Sequence, residues 1–403
     1  MSPKREKDAR VKLKEQKKEA RAHRRHVRFV RFIHPLITPI IKRKFNYTYD
    51  DCSNIDGPYL VLCNHNLNID PIFLNIATKN QVYFVASEHL TRAGFATKLL
   101  NYFFRPIFHK KGTTGVKTLS EMLKALKKGY NVAMFPEGNR SFNGLTGGFS
   151  DAIAKVAKKC GAKVITYKIE GGYLTQPRWS VTLRKGKLHG KLVHVYTPEE
   201  LSGMTEEEIY ESLQKDLFED AYATQAKEQV LFKGKDLALG MEATVFMCPK
   251  CKAVGSLKTE DNRVECTCCH AKAVYSELGN VDFEDNTSYT LTQLDTLQKD
   301  GLRELCEKAK DEDVLFEDMV TLYEIGEDHQ QKSVKETKLT AFKDHVFIEG
   351  RNLYPKDFVG MGLVLRNTIE TYLNEDKTQY EIKGPQSFSA LKYLYLYKVN
   401  GGK

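Results

Sequence analysis

The chain has 403 residues, 41% of them hydrophobic and 28% charged, which is the balance of an ordinary globular protein. This length allows two or three domains. No run of eighteen apolar residues occurs, so the sequence predicts no membrane-spanning helix. The basic start is not followed by the apolar core of a secretory signal, so the sequence predicts no such signal.

The formal net charge of +10 is concentrated at the N-terminus. Residues 1–44 hold sixteen Lys and Arg against four Asp and Glu, a net charge of +12 that leaves the remainder near −2. Residues 1–28 predict an exposed, frayed helix. Residues 29–41 are largely apolar and are interrupted by Pro35 and Pro39. A short apolar helix between basic clusters favours an anchor on an anionic membrane surface. The alternatives are a nucleic-acid-binding tail and a helix packed on the domain.

Strand and helix patterns alternate from residue 45 to about 235, which predicts an α/β domain with a mixed sheet. The predicted strands are 59–63, 81–86, 131–135, 163–169, 180–183 and 191–196. The predicted helices are 71–77, a segment near 95–104, 116–128, 151–160 and 206–226. Functional loops are expected at the ends of the strands.

The first such loop carries His65 and Asp70, which follow the apolar strand 59–63. Asp70 and Pro71 open a helix, where Pro suits the first position and Asp caps free N–H groups. A strand-to-helix turn can also fold back and bring the carboxylate to the imidazole, giving a general base and its orienting group. The alternative is that Asp70 is only a helix cap and His65 only a turn residue.

A second loop follows the strand at 131–135 and reads Phe135-Pro136-Glu137-Gly138-Asn139-Arg140-Ser141. It places Glu137 and Arg140 beside the flexible Gly138, and an arginine fork suits a phosphate group. The two loops together resemble the motifs H-x4-D and F-P-E-G-x-R-S of the glycerolipid acyltransferase superfamily. The most similar members are the 1-acyl-glycerol-3-phosphate acyltransferases, and the resemblance covers about residues 45–235.

Two stretches depart from the family pattern. Lys111 stands where the second motif has an arginine, and with Lys110 it leads into a Gly/Thr turn that could cradle phosphate. Lysine keeps the charge of arginine but lacks its fork, and each lysine could equally be a solvated surface cation. Thr166 stands where the fourth motif has proline, which weakens inferences about an acyl-chain wall there.

Four cysteines form two C-x2-C pairs separated by fourteen residues: Cys248, Cys251, Cys266 and Cys269. This spacing predicts a zinc ribbon in which four thiolates surround one structural Zn²⁺. Cys268 or His270 could replace Cys269 as a ligand.

The predicted boundaries are basic membrane-interface helices at 1–44, an acyltransferase domain at 45–235 and a zinc ribbon at 240–283. A helical linker at 284–313, with its helix around 291–308, and a β-rich module at 314–403 follow. The module's predicted strands are 319–325, 334–342, 345–349, 362–365, 370–373 and 380–382. With a final helix at 388–397, this pattern resembles a pleckstrin-homology-like module.

The family resemblance implies transfer of a fatty acyl group from acyl-CoA or acyl-ACP to the hydroxyl of a lysophospholipid. Lysophosphatidate is the favoured acceptor, and the reaction would belong to phospholipid biosynthesis. His65 would be the general base, oriented by Asp70. Arg140 with Lys110 or Lys111 would hold the acceptor phosphate. Glu137 would position the acceptor hydroxyl or the arginine, beside the flexible Gly138 of the same substrate-binding loop.

The expected location is the cytoplasmic face of a membrane, with an anionic lipid surface and an acyl carrier protein as candidate partners. One rival interpretation is a nucleic-acid-associated zinc-ribbon protein, although a nucleic-acid partner is not favoured. The other is a lipid-binding scaffold whose His65 and Asp70 are not productively arranged.

Overall fold

The structure is a computed structural model that describes residues 3–87, 98, 101–109, 116–326, 331–375 and 378–402. Within these ranges the chain builds three sheets, of seven, five and seven strands. The first is mixed and carries helices, and the third is an antiparallel half-barrel. The predicted mixed α/β domain with a β-rich C-terminal module is therefore confirmed.

One continuous helix, α1 (Pro3–Phe45), replaces the two N-terminal segments expected from the sequence. The prediction that prolines would interrupt it was wrong. Pro35 and Pro39 lie on an exposed side of the helix, where solvent can reach carbonyl groups left without a donor. Among the helices that the structure describes, none combines the length and the hydropathy that a membrane-spanning segment needs.

The two sides of α1 differ. One side packs on the domain through buried residues that include His26, Val30 and Phe45, and His26 Nδ1 lies 3.2 Å from the Tyr83 hydroxyl. The other side leaves large apolar residues exposed at every fourth position: Phe32 at 70%, Leu36 at 55% and Ile40 at 62%. Spacing of four places them on one stripe of the helix.

The first sheet contains β1 (Tyr47–Tyr49), β2 (Tyr59–Cys63), β3 (Val82–Ser87), β4 (Ile107–His109), β5 (Asn131–Met134), β6 (Lys163–Glu170) and β7 (Leu188–Tyr196). Their order is β1-β7-β6-β2-β5-β3-β4. Only the β6–β7 pairing is antiparallel among these strands. Strand β2 is fully buried between β5 and β6, so the carboxyl ends of all three meet at one edge.

The helices of this domain are α2 (Asp70–Thr78), α3 (Val116–Lys127), α4 (Ala152–Lys159), α5 (Gly172–Thr175), α6 (Pro198–Gly203), α7 (Glu206–Leu217) and α8 (Ala221–Glu228). Two predictions were wrong here. Residues 180–183 form no strand, because this segment is a loop around the buried Trp179. The helix predicted over 206–226 is broken at 218–220, where Glu219 turns into the domain. Half of the helix predicted near 95–104 lies outside the described residues, and residues 98 and 101–103 are helical.

The second sheet is an antiparallel meander of β8 (Leu257–Glu260), β9 (Arg263–Cys266), β10 (Lys272–Tyr275), β11 (Val281–Phe283) and β12 (Ser288–Tyr289). A short 3₁₀ helix, Met241–Ala243, precedes it. Helix α9 (Leu291–Lys308) follows and packs into the core, burying Leu291, Leu294 and Leu302. Its bounds match the helix expected from the leucine spacing.

The third sheet contains β13 (Phe316–Ile325), β14 (Gln331–Ala341), β15 (Val346–Ile348), β16 (Arg351–Leu353), β17 (Phe358–Val364), β18 (Thr368–Leu373) and β19 (Gln379–Lys383). The order is β16-β15-β14-β13-β19-β18-β17. The 3₁₀ helix Pro355–Asp357 joins its halves, and α10 (Ala390–Val399) packs against it. The predicted strands and final helix are present, and β16 is an addition.

Candidate active site and cysteine cluster

The two sequence motifs meet because β2 and β5 are adjacent parallel strands that end at the same edge of the sheet. His65 follows β2, and Glu137 follows β5. The His65 backbone N–H donates to Glu137 Oε1 at 2.7 Å, and the Ser141 N–H donates to the His65 carbonyl at 3.0 Å. These two bonds tie the loops together, although the motifs lie about seventy residues apart in the chain.

His65 and Asp70 form the expected pair. The Nδ1 atom of His65 lies 2.8 Å from Asp70 Oδ2, and Asp70 is fully buried. The imidazole packs on the Phe135 ring, at a centroid distance of 4.5 Å, and its side chain is 21% exposed. Within the described part of the chain, Nε2 has no hydrogen-bond partner. This is the geometry of a general base in which Nδ1 is held by a carboxylate and Nε2 can accept a proton.

The prediction that Asp70 caps its helix was wrong. Asp70 is the first residue of α2, and the capping position belongs to Ile69 without a side-chain bond. The carboxylate instead turns back to its own loop, where Oδ2 accepts from the N–H groups of Asn66 at 2.7 Å and Leu67 at 2.8 Å. Asp70 therefore fixes the loop as well as the imidazole.

The Glu137 carboxylate contacts the backbone N–H of His65. Its Oε1 accepts from His65, and its Oε2 accepts from the Gly147 N–H at 2.6 Å. Burial raises the pKa of Glu137 to about 8, against the opposing effect of these two donors. Gly138 follows with a φ of 67°, a left-handed conformation that glycine adopts without strain. This turn carries the chain from Glu137 to Arg140.

Arg140 has no carboxylate within 4.0 Å and no side-chain hydrogen-bond partner among the described residues. Burial lowers the pKa of its guanidinium, and the charge of nearby Asp70 opposes that effect. Arg140 is partly buried, and charges withdrawn from water are normally paired, so an unpaired arginine beside a candidate base favours an anionic ligand.

Arg178 is a buried arginine beside the partly buried Arg140, and no pattern in the sequence predicted it. It is 5% exposed, and its Nη1 donates to the Arg140 carbonyl at 3.3 Å and to Asn139 Oδ1 at 3.5 Å. Its Nη2 donates to the Leu363 carbonyl of the half-barrel at 3.3 Å. Burial and the charge of Arg140 lower the pKa of Arg178 to about 9. Arg178 thus holds the Arg140 loop and adds positive potential there.

A buried polar network on the β6 side of β2 was missed as well. Glu219 Oε2 accepts from Asn64 Nδ2 at 2.9 Å and Asn66 Nδ2 at 2.7 Å, while Oε1 accepts from the Gly171 N–H at 3.1 Å. Burial raises the pKa of Glu219 to about 8. The network fixes the His65 loop, because Glu219 binds Asn64 and Asn66 on either side of His65. Asp220, which caps α8, is the sequence signal that could have predicted the break.

Lys110 and Lys111, predicted to assist Arg140, lie outside the described residues. Thr166 is buried on β6, where its Oγ1 donates to Asp216 Oδ2 at 2.8 Å. It therefore makes a structural contact at the position where the family has proline.

The four cysteines predicted to bind zinc lie together and could hold a metal ion. The Sγ atoms of Cys248, Cys251, Cys266 and Cys269 all lie within 4.8 Å of one another. Two of the distances are 3.8 Å (Cys248 to Cys269) and 3.7 Å (Cys251 to Cys266). A tetrahedral Zn²⁺ with Zn–S bonds of about 2.3 Å requires S···S distances of about 3.8 Å, so the cluster fits this metal.

The geometry of both loops agrees with a comparison of the chain with known families. The family model named Acyltransferase matches residues 43–170. This segment contains His65, Asp70, Glu137, Gly138 and Arg140, so the resemblance read from the motifs is confirmed for it. This part of the chain is therefore similar to the acyltransferase family.

Among the solved structures similar to this chain is "Crystal Structure of the 1-acyl-sn-glycerophosphate (LPA) acyltransferase, PlsC, from Thermotoga maritima". The two sequences are 24% identical, and the match covers 49% of this chain and 81% of that chain with a TM-score of 0.41. No curated protein sequence matches the chain.

Proposed function

We propose that this acyltransferase domain moves a fatty acyl group from acyl-CoA or acyl-ACP to the hydroxyl of a lysophospholipid, with lysophosphatidate as the acceptor. The observation that carries the proposal is the His65–Asp70 pair at 2.8 Å, with Nε2 open and an unpaired Arg140 nearby. A non-catalytic lipid scaffold would have no need of that pairing.

In the proposed reaction, His65 Nε2 takes the proton of the acceptor hydroxyl as its oxygen attacks the thioester carbonyl. The C–S bond then breaks, and the imidazolium returns the proton to the departing thiolate. Asp70 holds the Nδ1–H tautomer and stabilises the transient imidazolium. The acyl group passes directly to the acceptor, so this sequence of steps needs no acyl-enzyme.

In the proposed binding mode, the acceptor phosphate lies against Arg140. A dianionic phosphate would neutralise the arginine that the described protein leaves unpaired, and Arg140 can bind it through two parallel hydrogen bonds. Arg178 would act as a positioning residue, because its Nη1 and Nη2 atoms already donate to backbone carbonyls and Asn139.

The exposed stripe of Phe32, Leu36 and Ile40 would bring the domain to its lipid substrate. An apolar stripe with cations beside it inserts at the boundary between headgroups and acyl chains. Arg28 and Arg43 lie near this stripe in the helix and are exposed. Anionic lipids on the cytoplasmic face are the proposed surface.

A closed shell of four thiolates leaves no open position on a metal, so the proposed Zn²⁺ is structural. It would hold the turns of the second sheet, whose apolar side packs on Trp179 and Tyr173 of the acyltransferase domain. The metal would support the shape of the domain and take no part in the chemistry.

The deciding experiment is acyl transfer by the purified full chain, with labelled acyl-CoA and acyl-ACP and a panel of lysophospholipids. Arg140→Gln should raise the acceptor KM or lower kcat for lysophosphatidate, while the donor KM changes little. Arg140→Lys is the matched control that keeps the charge without the fork. An equal loss with monoacylglycerol, which has no phosphate, would contradict the phosphate role, and no transfer to any acceptor would contradict the proposal.

A further inference from the structure

The inner face of the C-terminal half-barrel (β13–β19) encloses an apolar cavity of about 190 Å³. Every one of the seven strands contributes to its wall, and Tyr393 of α10 contacts it from the helix side. Its main apolar residues are Leu339, Ile348, Met361, Ile369, Leu373 and Ile382. All of the residues that line the cavity lie between Leu322 and Tyr393, so its wall belongs to the C-terminal module.

The wall offers little to a polar ligand. The Thr371 hydroxyl donates to the Gly360 carbonyl at 2.9 Å. The Tyr393 hydroxyl lies 2.7 Å from Asp318 Oδ2 and 3.0 Å from the Leu339 carbonyl. A buried water needs two to four polar partners, so the cavity is suited to an apolar occupant.

The cavity is open to the outside. Leu322 and Met361 line it, yet both are only partly buried. Glu349 and Arg351, at the turn between β15 and β16, are the charged residues of its wall. The Arg351 guanidinium is partly exposed, and its Nη2 lies 2.9 Å from Glu375 Oε2. A ligand that enters past this turn meets Arg351 paired with Glu375, and Glu349 paired with Lys335, at the rim, and hydrocarbon inside.

The volume of the cavity limits the size of the ligand that it can hold. A dry apolar cavity of about 150 Å³ is large enough to hold benzene, so this one has room for a short run of methylene groups. Left empty, its wall loses the dispersion contacts that close packing normally supplies. The end of an unbranched hydrocarbon chain would restore those contacts.

We infer that the half-barrel is a second lipid-binding site, which takes the methyl end of a fatty acyl chain into the cavity and its anionic end at Arg351. The choice of an acyl chain over other apolar molecules rests on the proposed function, because the same polypeptide would then handle acyl groups. The cavity itself, its apolar wall and its charged rim do not depend on that function.

The test uses octanoate and octan-1-ol, which share a short chain but differ in charge. Both should bind the full chain one-to-one by calorimetry and raise its melting temperature, since a ligand that binds only the folded state stabilises it. Ile369→Phe and Ile348→Phe each place a larger side chain in the cavity. Each variant should keep or raise the melting temperature of the free protein. Each should also lower the affinity for octanoate and for octan-1-ol at least tenfold.

Two controls separate this site from other surfaces. Val334→Phe makes a similar change at a residue that is 62% exposed on β14, and His65→Ala alters the candidate active site. Both variants should bind octanoate and octan-1-ol as the unchanged protein does. Arg351→Gln should lower the affinity for octanoate severalfold and leave the affinity for octan-1-ol unchanged. An equal loss of affinity for both compounds would overturn the role of Arg351.

The inference is overturned if the unchanged chain binds neither octanoate nor octan-1-ol. It is also overturned if Ile369→Phe and Ile348→Phe both bind the two compounds as tightly as the unchanged chain, or if His65→Ala abolishes binding. Failure of the proposed function would look different. The protein would then transfer no acyl group to any acceptor while still binding octanoate in the half-barrel.

Discussion

Asp70→Asn tests the chemistry most directly, because the change removes a charge and keeps the shape. The amide oxygen can occupy the position of Oδ2 and still accept from Asn66 and Leu67. What disappears is the negative charge beside the imidazolium that forms as His65 takes the acceptor proton. The substitution should therefore lower kcat far more than it lowers stability.

The expected size follows from the 2.8 Å contact between His65 Nδ1 and Asp70 Oδ2. Charge centres about 4 Å apart interact by about 4 kcal/mol at an effective dielectric constant of 20. Since each 1.36 kcal/mol of barrier changes the rate about tenfold, kcat should fall about 10³-fold. The acceptor KM should change little, because Asp70 is buried beneath the imidazole.

The assay is steady-state acyl transfer, with unfolding measured in parallel. Asp151→Asn is the matched control, because Asp151 is an exposed acid that pairs only loosely with Lys155. Asp70→Asn should add no further loss to His65→Ala, since the carboxylate acts through the imidazole. A loss below tenfold, or an undiminished loss in the His65→Ala background, would refute the reasoning.

The other predictions concern the metal, the buried carboxyls and the membrane. Cys251→Ser should reduce bound zinc from about one per chain and destabilise the second sheet, because metal binding and folding are coupled. The control Cys268→Ser should keep the metal, and the reverse result would contradict the ligand set. The raised pKa of Glu219 means that its folded form binds a proton more tightly than its unfolded form. The free energy of unfolding should therefore fall from pH 5 to 8, by up to about 4 kcal/mol for this group, and Glu219→Gln should flatten that decline. An identical pH profile in the variant would contradict the assignment. Leu36→Ser should weaken sedimentation with anionic vesicles without changing the melting temperature, whereas unchanged sedimentation would locate the membrane contact elsewhere.

The sequence by itself predicted the elements whose pattern is local. Strand β2 is an unbroken apolar run, the stripe of α3 ends at a glycine, and the cysteine pairs have the spacing of a metal knuckle. These patterns are sufficient because strand formation, amphipathic helix formation and metal ligation each depend on residues a few positions apart. The same holds for the Leu291–Lys308 helix, whose bounds were predicted from the spacing of its leucines.

The tertiary structure alone decided which distant groups meet. The pairing of β2 with both β5 and β6 brings Glu137 to one side of the His65 loop and Glu219 to the other, and no local pattern records strand order. The sequence predicts a helix through Glu219 because helical propensity continues there, but the structure breaks the helix where Glu219 bonds to Asn64 and Asn66. Arg178 belongs to no recognisable sequence motif. It is a site residue only because folding buries it against the Arg140 loop and a carbonyl of the half-barrel.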